Sequence, residues 1–552
     1  MCKVGVLLLC LVVRAPPAAA VSPEDCTACA AAPAEEDCSS SACRVSLLQS
    51  RREVTSPKAS ESAVLGAKLF PRKPNIVLFL PDDMFFKDYS PWDPSGFAPA
   101  VPSRIPVMNK PINNGGVMPN LEKIAQSGAT FARAYTASPL CTPSRYSIMT
   151  GRHPSRSLYG FDKVSEYFPG ISEGFVGQYS MLGQGYKDQV STIGIALQSL
   201  GYATGMMGKW HLTPSEEANF TSPYSDQTAY VMRPGFDFVD GLYITNMCDC
   251  SQPICDTFNH NLEWMLDRAV YFMDDAMTKQ KPFFLYFSPT PPHNPSAEDS
   301  LLGHFTPYQT PAGTLASAPD VSKYCSSCKL AKRKEIWDSV ADISSMSEEG
   351  SCRHLLAALR WIDESLGVLY DFLSERDAIG HTYIVVSTDH GPAKYSLYEL
   401  STRVPLYAAG PGIQAGTVVE EPVIHMDMAP TFLTWAGDSE GASLPMSSDG
   451  LSWSSLVSGE ASSLDRESIT TQSYFDTAIM NREGMKRYAC RTSLIINRTL
   501  TKLQDPILID ECSSLAKDLA LFVGDAYPAL YDKVQVYNIV SDPTEQENLE
   551  RF

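Results

Sequence analysis

Positive charge is scarce in this sequence. Its 552 residues include 44 lysines and arginines against 63 aspartates and glutamates, which gives a formal net charge of −19. A chain this acidic has no overall field that would gather nucleic acid or anionic lipid. We therefore expect no nucleic-acid partner. A small anionic substrate would need its own local cluster of positive side chains.

Long apolar runs are also missing, apart from a short one at the N-terminus. Residues Gly5–Val13 form an apolar run, which falls well short of the roughly 20 residues of a spanning helix. Lys3 precedes this run, and Ala18–Ala20 offers a small-residue cleavage site. The order is typical of a secretory signal peptide, predicted here over residues 1–20. We expect no membrane span and a protein of the secretory pathway, located in a lysosome-like compartment or outside the cell.

Internal repeats and periodic glycine or proline are missing as well. The 34 glycines and 40 prolines are scattered, and 44% of the residues are hydrophobic. This composition excludes a collagen-like, coiled-coil or wholly disordered chain. The length suffices for one large catalytic core together with a smaller domain.

Cysteine is plentiful for a chain of this kind. There are 15 cysteines, and in an exported protein they indicate disulfides, whose connectivity the sequence leaves open. Cys325-Ser-Ser-Cys328 has no matching second half of a zinc site, so a disulfide is favoured there. Asn219 and Asn497 begin glycosylation sequons, which are consistent with secretion.

The chain divides into three parts after the signal peptide. Residues 21–70 contain cysteines and are rich in Ala, Ser and Glu without apolar periodicity, which indicates a stapled segment or a tether. A continuous apolar run at Asn75–Leu80 opens the predicted catalytic domain, residues 71–470. Short β-like runs near the end predict a small C-terminal α+β domain, residues 471–552.

Strands and helices alternate through the predicted catalytic domain. Strand-like runs near 202–207, 282–288 and 382–388 are interleaved with helical patterns near 119–128, 189–200, 261–279, 351–377 and 425–436. This alternation predicts an α/β fold with a large, mostly parallel sheet between helices. Ligands of such sheets bind beyond the carboxyl ends of the strands.

Acids, histidines and a lysine follow four of the predicted strands directly. They are Asp82 and Asp83 after the first, Lys209 and His211 after the second, His293 after the third, and Asp389 and His390 after the fourth. Taken singly, such residues are ordinary turn chemistry. Their coincidence at four strand ends predicts one functional site at that edge of the sheet.

The segment Cys141-Thr-Pro-Ser-Arg145, followed by Thr150-Gly-Arg152, resembles the signature of the type I sulfatases. Further matching elements follow the same order along the chain: Asp82-Asp83, Gly208–Leu212, Asp389–Gly391, Asp449–Ser452 and Tyr537–Ile539 with Asp542-Pro543. The resemblance runs from about Asn75 to Leu549. It implies an alkaline-phosphatase-like fold, with a large mixed sheet, and a sulfuric ester hydrolase. It also implies that a formylglycine-generating enzyme oxidises Cys141 during maturation.

The resemblance implies a single calcium ion as cofactor. Its ligands would be Asp82, Asp83, Asp389, His390 and the formylglycine oxygen at Cys141. Carboxylate oxygens suit a hard divalent cation. Many relatives carry Asn at the position of His390, and imidazole is a less natural calcium ligand than an amide oxygen. The Asp-His form does occur in sequences resembling iduronate-2-sulfatase.

Further roles follow from the resemblance. One hydroxyl of hydrated formylglycine would attack sulfur, a form of covalent catalysis. Arg145 would steady this diol, while Lys209 and Lys394 would neutralise the sulfate oxygens. His293 would protonate the leaving alcohol, and His211 would deprotonate the second hydroxyl to expel sulfate. The stretch between Gly391 and Lys394 is shorter than in iduronate-2-sulfatase.

Two alternatives stay open beside sulfate ester hydrolysis. Phosphoryl and sulfuryl groups are similar in shape, so a phosphate or phosphonate ester hydrolase of the same superfamily is one. A secreted binding module with a dead site is the other, although none of the main catalytic residues is missing. The sequence does not fix the substrate, which we expect to be a small sulfate ester or a sulfated saccharide.

Overall fold

The computed structural model describes most of the predicted catalytic domain and part of the C-terminal region. The described residues are 73–84, 117–167, 176–247, 258–303, 308–341, 353–391, 394, 396–474, 476–489, 534–541, 545 and 548–549. The predicted signal peptide, residues 21–70 and the sequon at Asn497 lie outside them.

An eight-stranded sheet forms the centre of the molecule, with strands in the order β11-β2-β10-β9-β1-β6-β4-β5. The strands are β1 Asn75–Phe79, β2 Ala129–Phe131, β4 Ala203–Lys209, β5 Phe238–Tyr243, β6 Phe283–Ser288, β9 Thr382–Ser387, β10 Leu406–Ala409 and β11 Thr417–Val419. Only β10 runs antiparallel to its neighbours. The sheet is therefore mixed and mostly parallel, which confirms the predicted fold class.

Helices cover both faces of this sheet. They are α1 Pro119–Ser127, α2 Cys141–Thr150, α3 Leu158–Tyr167, α4 Ile193–Ser199, α5 Tyr224–Met232, α6 Leu262–Thr278, α7 Ala297–Leu302, α8 Arg333–Ser339, α9 Arg353–Glu375, α10 Glu399–Thr402, α11 Met428–Trp435 and α12 Ser454–Val457. Two short ribbons pair β3 Ala134–Tyr135 with β12 Val423–Ile424, and β7 Gln309–Thr310 with β8 Gly313–Thr314.

Strand β1 shows why its apolar run is continuous. Val77 and Phe79 contribute to one hydrophobic core, with α1, α6 and α9, whereas Ile76 and Leu78 contribute to a second core, with α2, α4 and α11. Successive residues of a strand point to opposite faces, so a strand covered on both sides needs apolar residues at every position.

Four strands near the C-terminus form a separate antiparallel sheet, in the order β13-β14-β15-β16. They are β13 Ser468–Ser473, β14 Asp476–Asn481, β15 Met485–Ala489 and β16 Val534–Asn538. A small C-terminal α+β domain was predicted, and the described residues there form this antiparallel sheet. The exact boundary between residues 470 and 471 stays a prediction.

A buried ionic network joins this small sheet to the catalytic part. Lys486 on β15 lies 2.9 Å from Glu399 Oε1 on α10 and 3.2 Å from Glu545 Oε1. The backbone N–H of Glu399 donates to Glu545 Oε2 (2.7 Å), and the hydroxyl of Tyr135 donates to Glu399 Oε2 (2.9 Å). Because all of these side chains are buried, each charge depends on its partners.

Cys325 and Cys328 form a disulfide, which confirms the preference over a zinc site. Cys141 is the free cysteine among the described residues. The other predicted disulfide cysteines lie outside the described residues: Cys26, Cys29, Cys38, Cys43, Cys248, Cys250, Cys255, Cys352, Cys490 and Cys512. No helix in the described ranges has both the length and the apolarity needed to cross a membrane.

We predict that Lys486→Ala lowers the free energy of unfolding by about 3–5 kcal/mol, because it leaves two buried carboxylates without their cation. Urea unfolding of the full chain, followed by tryptophan fluorescence, measures this. The matched control is Lys279→Ala, since Lys279 pairs with Asp275 at the surface and exposed pairs contribute little. Equal midpoints for the two variants would contradict a stabilising role of the network.

Candidate active site

The four strands with polar residues at their ends are neighbours in the sheet. Strands β9, β1, β6 and β4 are adjacent and parallel. Their carboxyl ends therefore meet at one edge, where Asp389, Asp82 and His293 follow β9, β1 and β6, and Lys209 is the last residue of β4. The structure thus brings these predicted residues together.

Helix α2 carries the cysteine to the same edge. Cys141 is its first residue, after Leu140 in extended conformation, and the helix ends at Gly151, whose φ of 67° lies in the left-handed region that glycine favours. Every residue from Cys141 to Thr150 is buried. The helix therefore lies inside the protein, with its positive N-terminal end at the thiol.

Two cationic side chains contact the Cys141 thiol. His390 Nε2 lies 3.2 Å and Lys394 Nζ 3.5 Å from Sγ. Burial alone would raise the pKa of this thiol, but the positive charges of Lys209, Lys394 and His390 outweigh it and lower the pKa to about 7. The position is therefore built for an anion. Lys394, which sequence reasoning derived from a shortened motif, does lie at the site.

Arg145, one turn along α2, is the centre of the cluster. Its Nε and Nη2 donate to Asp389 Oδ2 (3.2 and 3.1 Å), and Nη2 also lies 3.3 Å from Asp82 Oδ1. Its Nη1 donates to the backbone oxygen of Lys209 (2.9 Å) and to Ser288 Oγ (2.8 Å). One fully buried guanidinium thus ties α2 to the ends of four strands.

The two consecutive aspartates have different cationic partners. Asp82 Oδ2 lies 2.5 Å from Lys209 Nζ, and Asp83 Oδ2 lies 3.1 Å from Lys394 Nζ. Burial would raise the pKa of each carboxyl. Lys209 and His293 nevertheless hold the pKa of Asp82 well below its usual range. In the same way, Lys394 and His293 lower the pKa of Asp83 to about 2. Both residues are therefore carboxylates at neutral pH.

Asp83, Cys141, Asp389 and His390 form a candidate cation site, since one possible ligand atom from each lies within 4.8 Å of the others. Asp83 Oδ1 is buried and accepts no hydrogen bond within the described part of the chain. His390 Nδ1 lies 2.6 Å from the Gly391 carbonyl oxygen. A carbonyl only accepts, so Nδ1 donates and Nε2 is the atom offered to a ligand. This donor set fits a divalent cation.

The fifth predicted ligand, Asp82, lies beside this cluster. One of its oxygens contacts Arg145 and the other contacts Lys209.

Burial lowers the pKa of His390, but the negative charges of Asp389, Cys141 and Asp83 outweigh this effect and raise that pKa to about 9. A cation bound at this site would displace the proton from Nε2.

The two predicted acid–base histidines, His293 and His211, follow different strands, β6 and β4. His293 lies 3.8 Å from Asp83 Oδ2 through Nε2 and 4.0 Å from Asp82 Oδ2 through Nδ1. His211 is largely buried after β4, with φ of 59°, and its backbone N–H donates to Ile244 O (2.9 Å). The role of His211 stays a prediction.

Ser144 and His425 form a hydrogen-bonded pair that holds the backbone of Asp389. Neither residue was predicted to belong to the site. Ser144 Oγ donates to the Asp389 carbonyl (2.5 Å) and lies 3.0 Å from His425 Nδ1. Burial lowers the pKa of His425 to about 3, so its ring is neutral. Ser144 stands inside the cysteine motif, and this was the available clue that it belongs to the site. His425 lies 281 residues away from it, so no local pattern of residues links the two.

The fold and the site together define an α/β protein with a buried cysteine surrounded by acids and cations. The family profile described as "Sulfatase" matches residues 74–438. The chain therefore belongs to the sulfatase family and is a sulfuric ester hydrolase.

Individual relatives are distant. Choline-sulfatase of Rhizobium meliloti is 27% identical over 70% of this chain and 72% of its own length. Human arylsulfatase A is 25% identical over 74% of this chain and 72% of its own length. An extracellular sulfatase SULF-1 homolog of Drosophila melanogaster is 24% identical over 80% of this chain, which spans only 36% of that relative.

Solved structures of sulfatases share the fold. The PsFucS1 sulfatase from Pseudoalteromonas sp. superposes with a TM-score of 0.51 at 19% identity, covering 87% of this chain and 86% of the other. The putative sulfatase yidJ from Bacteroides fragilis gives 0.51 at 19% identity, covering 88% and 93%.

We predict that Arg145→Lys slows sulfate ester hydrolysis about 100-fold, the scale of loss when a reacting group is displaced by about 1 Å. Lysine keeps the charge but loses the planar fork that holds Asp389 and Asp82. The initial rate per folded molecule measures this. The control is Arg152→Lys on the same segment, because Arg152 contacts Tyr146 rather than an acid. Similar losses in both variants would contradict the assignment.

Proposed function

We propose that the protein hydrolyses a sulfate monoester through a formylglycine at position 141 and a bound calcium ion. The contact of the Cys141 side chain with Lys394 and His390, at the buried base of an acid cluster, carries this proposal. Its Sγ stands where the oxygens of hydrated formylglycine would lie. Phosphate or phosphonate esters become the alternative substrates only if sulfate esters fail.

The surrounding side chains match the charge changes of the reaction. A sulfate monoester is an anion, so the approach of an oxygen nucleophile needs positive groups near both. Lys209 is buried beside Asp82, and Lys394 is partly exposed beside Asp83. We assign both to the sulfate oxygens. Arg145 keeps its position through Asp389, and its guanidinium holds the nucleophile end of α2 against the sheet.

His293 is assigned as the proton donor to the leaving alcohol, and His211 as the base that restores the aldehyde. The strand ends bring His293 to the aspartates without burying it fully, since its side chain is 10% exposed. Lys394 and His293 are both partly exposed. The ester therefore enters the site from the side on which these two side chains lie.

Asp83, Asp389, His390 and the oxygen at position 141 would hold the cation, with Asp82 next to them. When bound, such a cation polarises the nucleophile and neutralises charge as a Lewis acid. Carboxylates dominate this donor set, which favours calcium over softer metals.

We propose a small sulfate ester or a sulfated saccharide as substrate. The names of the relatives include a choline-sulfatase, an arylsulfatase and a canine N-acetylgalactosamine-6-sulfatase. The negative charge of the chain does not favour a wide grip on a polysulfated polymer. The leader-like N-terminus supports maturation in the secretory pathway, with a formylglycine-generating enzyme as partner, and a lysosome-like or extracellular location.

The first test is a peptide mass map of the secreted protein that covers Cys141. We expect an aldehyde in place of the thiol at high occupancy, together with turnover of sulfate esters that Cys141→Ala abolishes. An unmodified thiol, from cells that do modify a control sulfatase, would contradict the proposal and favour a binding module.

The second test removes the cation. We expect a chelator to lower the melting temperature and calcium to restore it, since a ligand that binds only the folded state stabilises it. Asp83→Asn should weaken calcium binding, measured by calorimetry, on the order of tenfold or more. Asp449→Asn is the control, because Asp449 pairs with Arg156 and accepts from the His153 backbone N–H and is not a member of the four-residue cluster. Restoration by zinc but not by calcium would contradict the assignment of the metal.

A further inference from the structure

A second histidine, which the proposed mechanism does not use, supports the loop that carries His293. This loop, residues 290–295, connects β6 to α7 and is called the strap here. His260 contacts this loop from two residues before the start of α6, and its side chain is fully buried. A buried imidazole is costly unless both of its ring nitrogens have hydrogen-bond partners.

Both ring nitrogens of His260 contact the strap, one at each end. Nδ1 lies 2.7 Å from Thr290 Oγ1, and Nε2 lies 2.8 Å from the Pro295 carbonyl oxygen. A carbonyl can only accept, so Nε2 carries the proton and Nδ1 accepts from the Thr290 hydroxyl. Burial lowers the pKa of His260 to about 4, which keeps this neutral form at physiological pH. One rigid ring thus fixes the spacing between the two ends of the strap.

His260 is itself held in place. Its backbone N–H donates to Ser300 Oγ (3.0 Å), and Arg333 donates to its carbonyl oxygen (3.3 Å). Arg333 also forms a buried ion pair with Glu263 at 2.8 Å. The imidazole therefore stands on a fixed base rather than moving with the strap.

The other side of the strap faces the acid cluster. The backbone N–H of Asp82 donates to Pro289 O (3.2 Å), and Asp82 forms a parallel bridge with Pro292. His293 Nδ1 lies 2.9 Å from the Asn294 carbonyl and donates to it, so Nε2 is the nitrogen that faces Asp83, at 3.8 Å. The backbone of the strap consequently sets the orientation of the His293 ring.

We infer that His260 is a positioning residue for proton transfer, which holds the strap so that His293 Nε2 points at the leaving oxygen of the ester. The inference rests on the proposed function. In that step the S–O bond breaks, the electron pair goes to the leaving oxygen, and the Nε2 proton of a doubly protonated His293 moves to this oxygen, which leaves a neutral ring protonated at Nδ1. A simple packing role would instead lower all activities together with stability.

Leaving-group dependence separates the two roles. The proton matters greatly for phenyl sulfate, whose leaving phenol is a weak acid, and little for 4-nitrophenyl sulfate, whose leaving phenol is much stronger. Both esters have nearly the same shape. We measure kcat/KM for both, corrected for formylglycine occupancy by mass mapping, in the wild type, His260→Ala, His293→Ala and the double variant.

We expect His260→Ala to lose on the order of 100-fold on phenyl sulfate but less than about tenfold on 4-nitrophenyl sulfate. His293→Ala should show the same preference, and the double variant should be no slower than His293→Ala. His260→Gln, which keeps a donor for the Pro295 carbonyl, should recover part of the loss. Thr290→Val removes only the hydroxyl and serves as the second variant if His260→Ala does not fold.

Equal losses on the two esters, or additive losses in the double variant, would overturn the positioning role while leaving the proposed function intact. A fully modified wild type that hydrolyses neither ester nor any other sulfate would overturn the proposed function, and this inference with it. The exposed His381, changed to alanine, controls for the loss of a histidine elsewhere and should alter neither rate.

Discussion

Three carboxylates lie close together where the strands of the main sheet end, and the rest of the site depends on keeping them charged. Asp82 and Asp389 are almost completely buried, so without compensation they would take up protons. Arg145 contacts both of them, and Lys209 contacts Asp82. The cluster depends most on Arg145, because removing it would take away the guanidinium that binds both buried carboxylates.

This requirement explains the form of helix α2. All ten residues of α2 are buried, so Arg145 reaches two strand ends from inside the protein. The same helix presents Cys141 to Lys394 and His390 from its first position. Cys141 and Arg145, whose charge holds the acids in place, are thus separated by one helical turn, and neither can shift without the other.

The small C-terminal sheet contributes to the site through the segment that follows Lys394. The Tyr488 hydroxyl donates to the Leu397 carbonyl (3.1 Å), and Lys486 binds Glu399. These contacts fix the chain a few residues beyond the lysine that lies beside Cys141 and Asp83. The strap at 290–295 has a comparable support in His260. Lys394 and His293, two partly exposed side chains of the site, are therefore both supported by buried polar groups.

The sequence alone determined the fold class and most members of the site. Strand β1 was recognisable because a strand covered on both faces is apolar throughout, and Asp82, Lys209, His293 and Asp389 were recognisable because they follow such strands. Only the tertiary structure decided which side chains meet. The pairing of Asp82 with Lys209, of Ser144 with His425 and of His260 with the strap joins residues that are distant in the chain. Such contacts follow from how helices pack on the sheet, and no local pattern of residues records that packing.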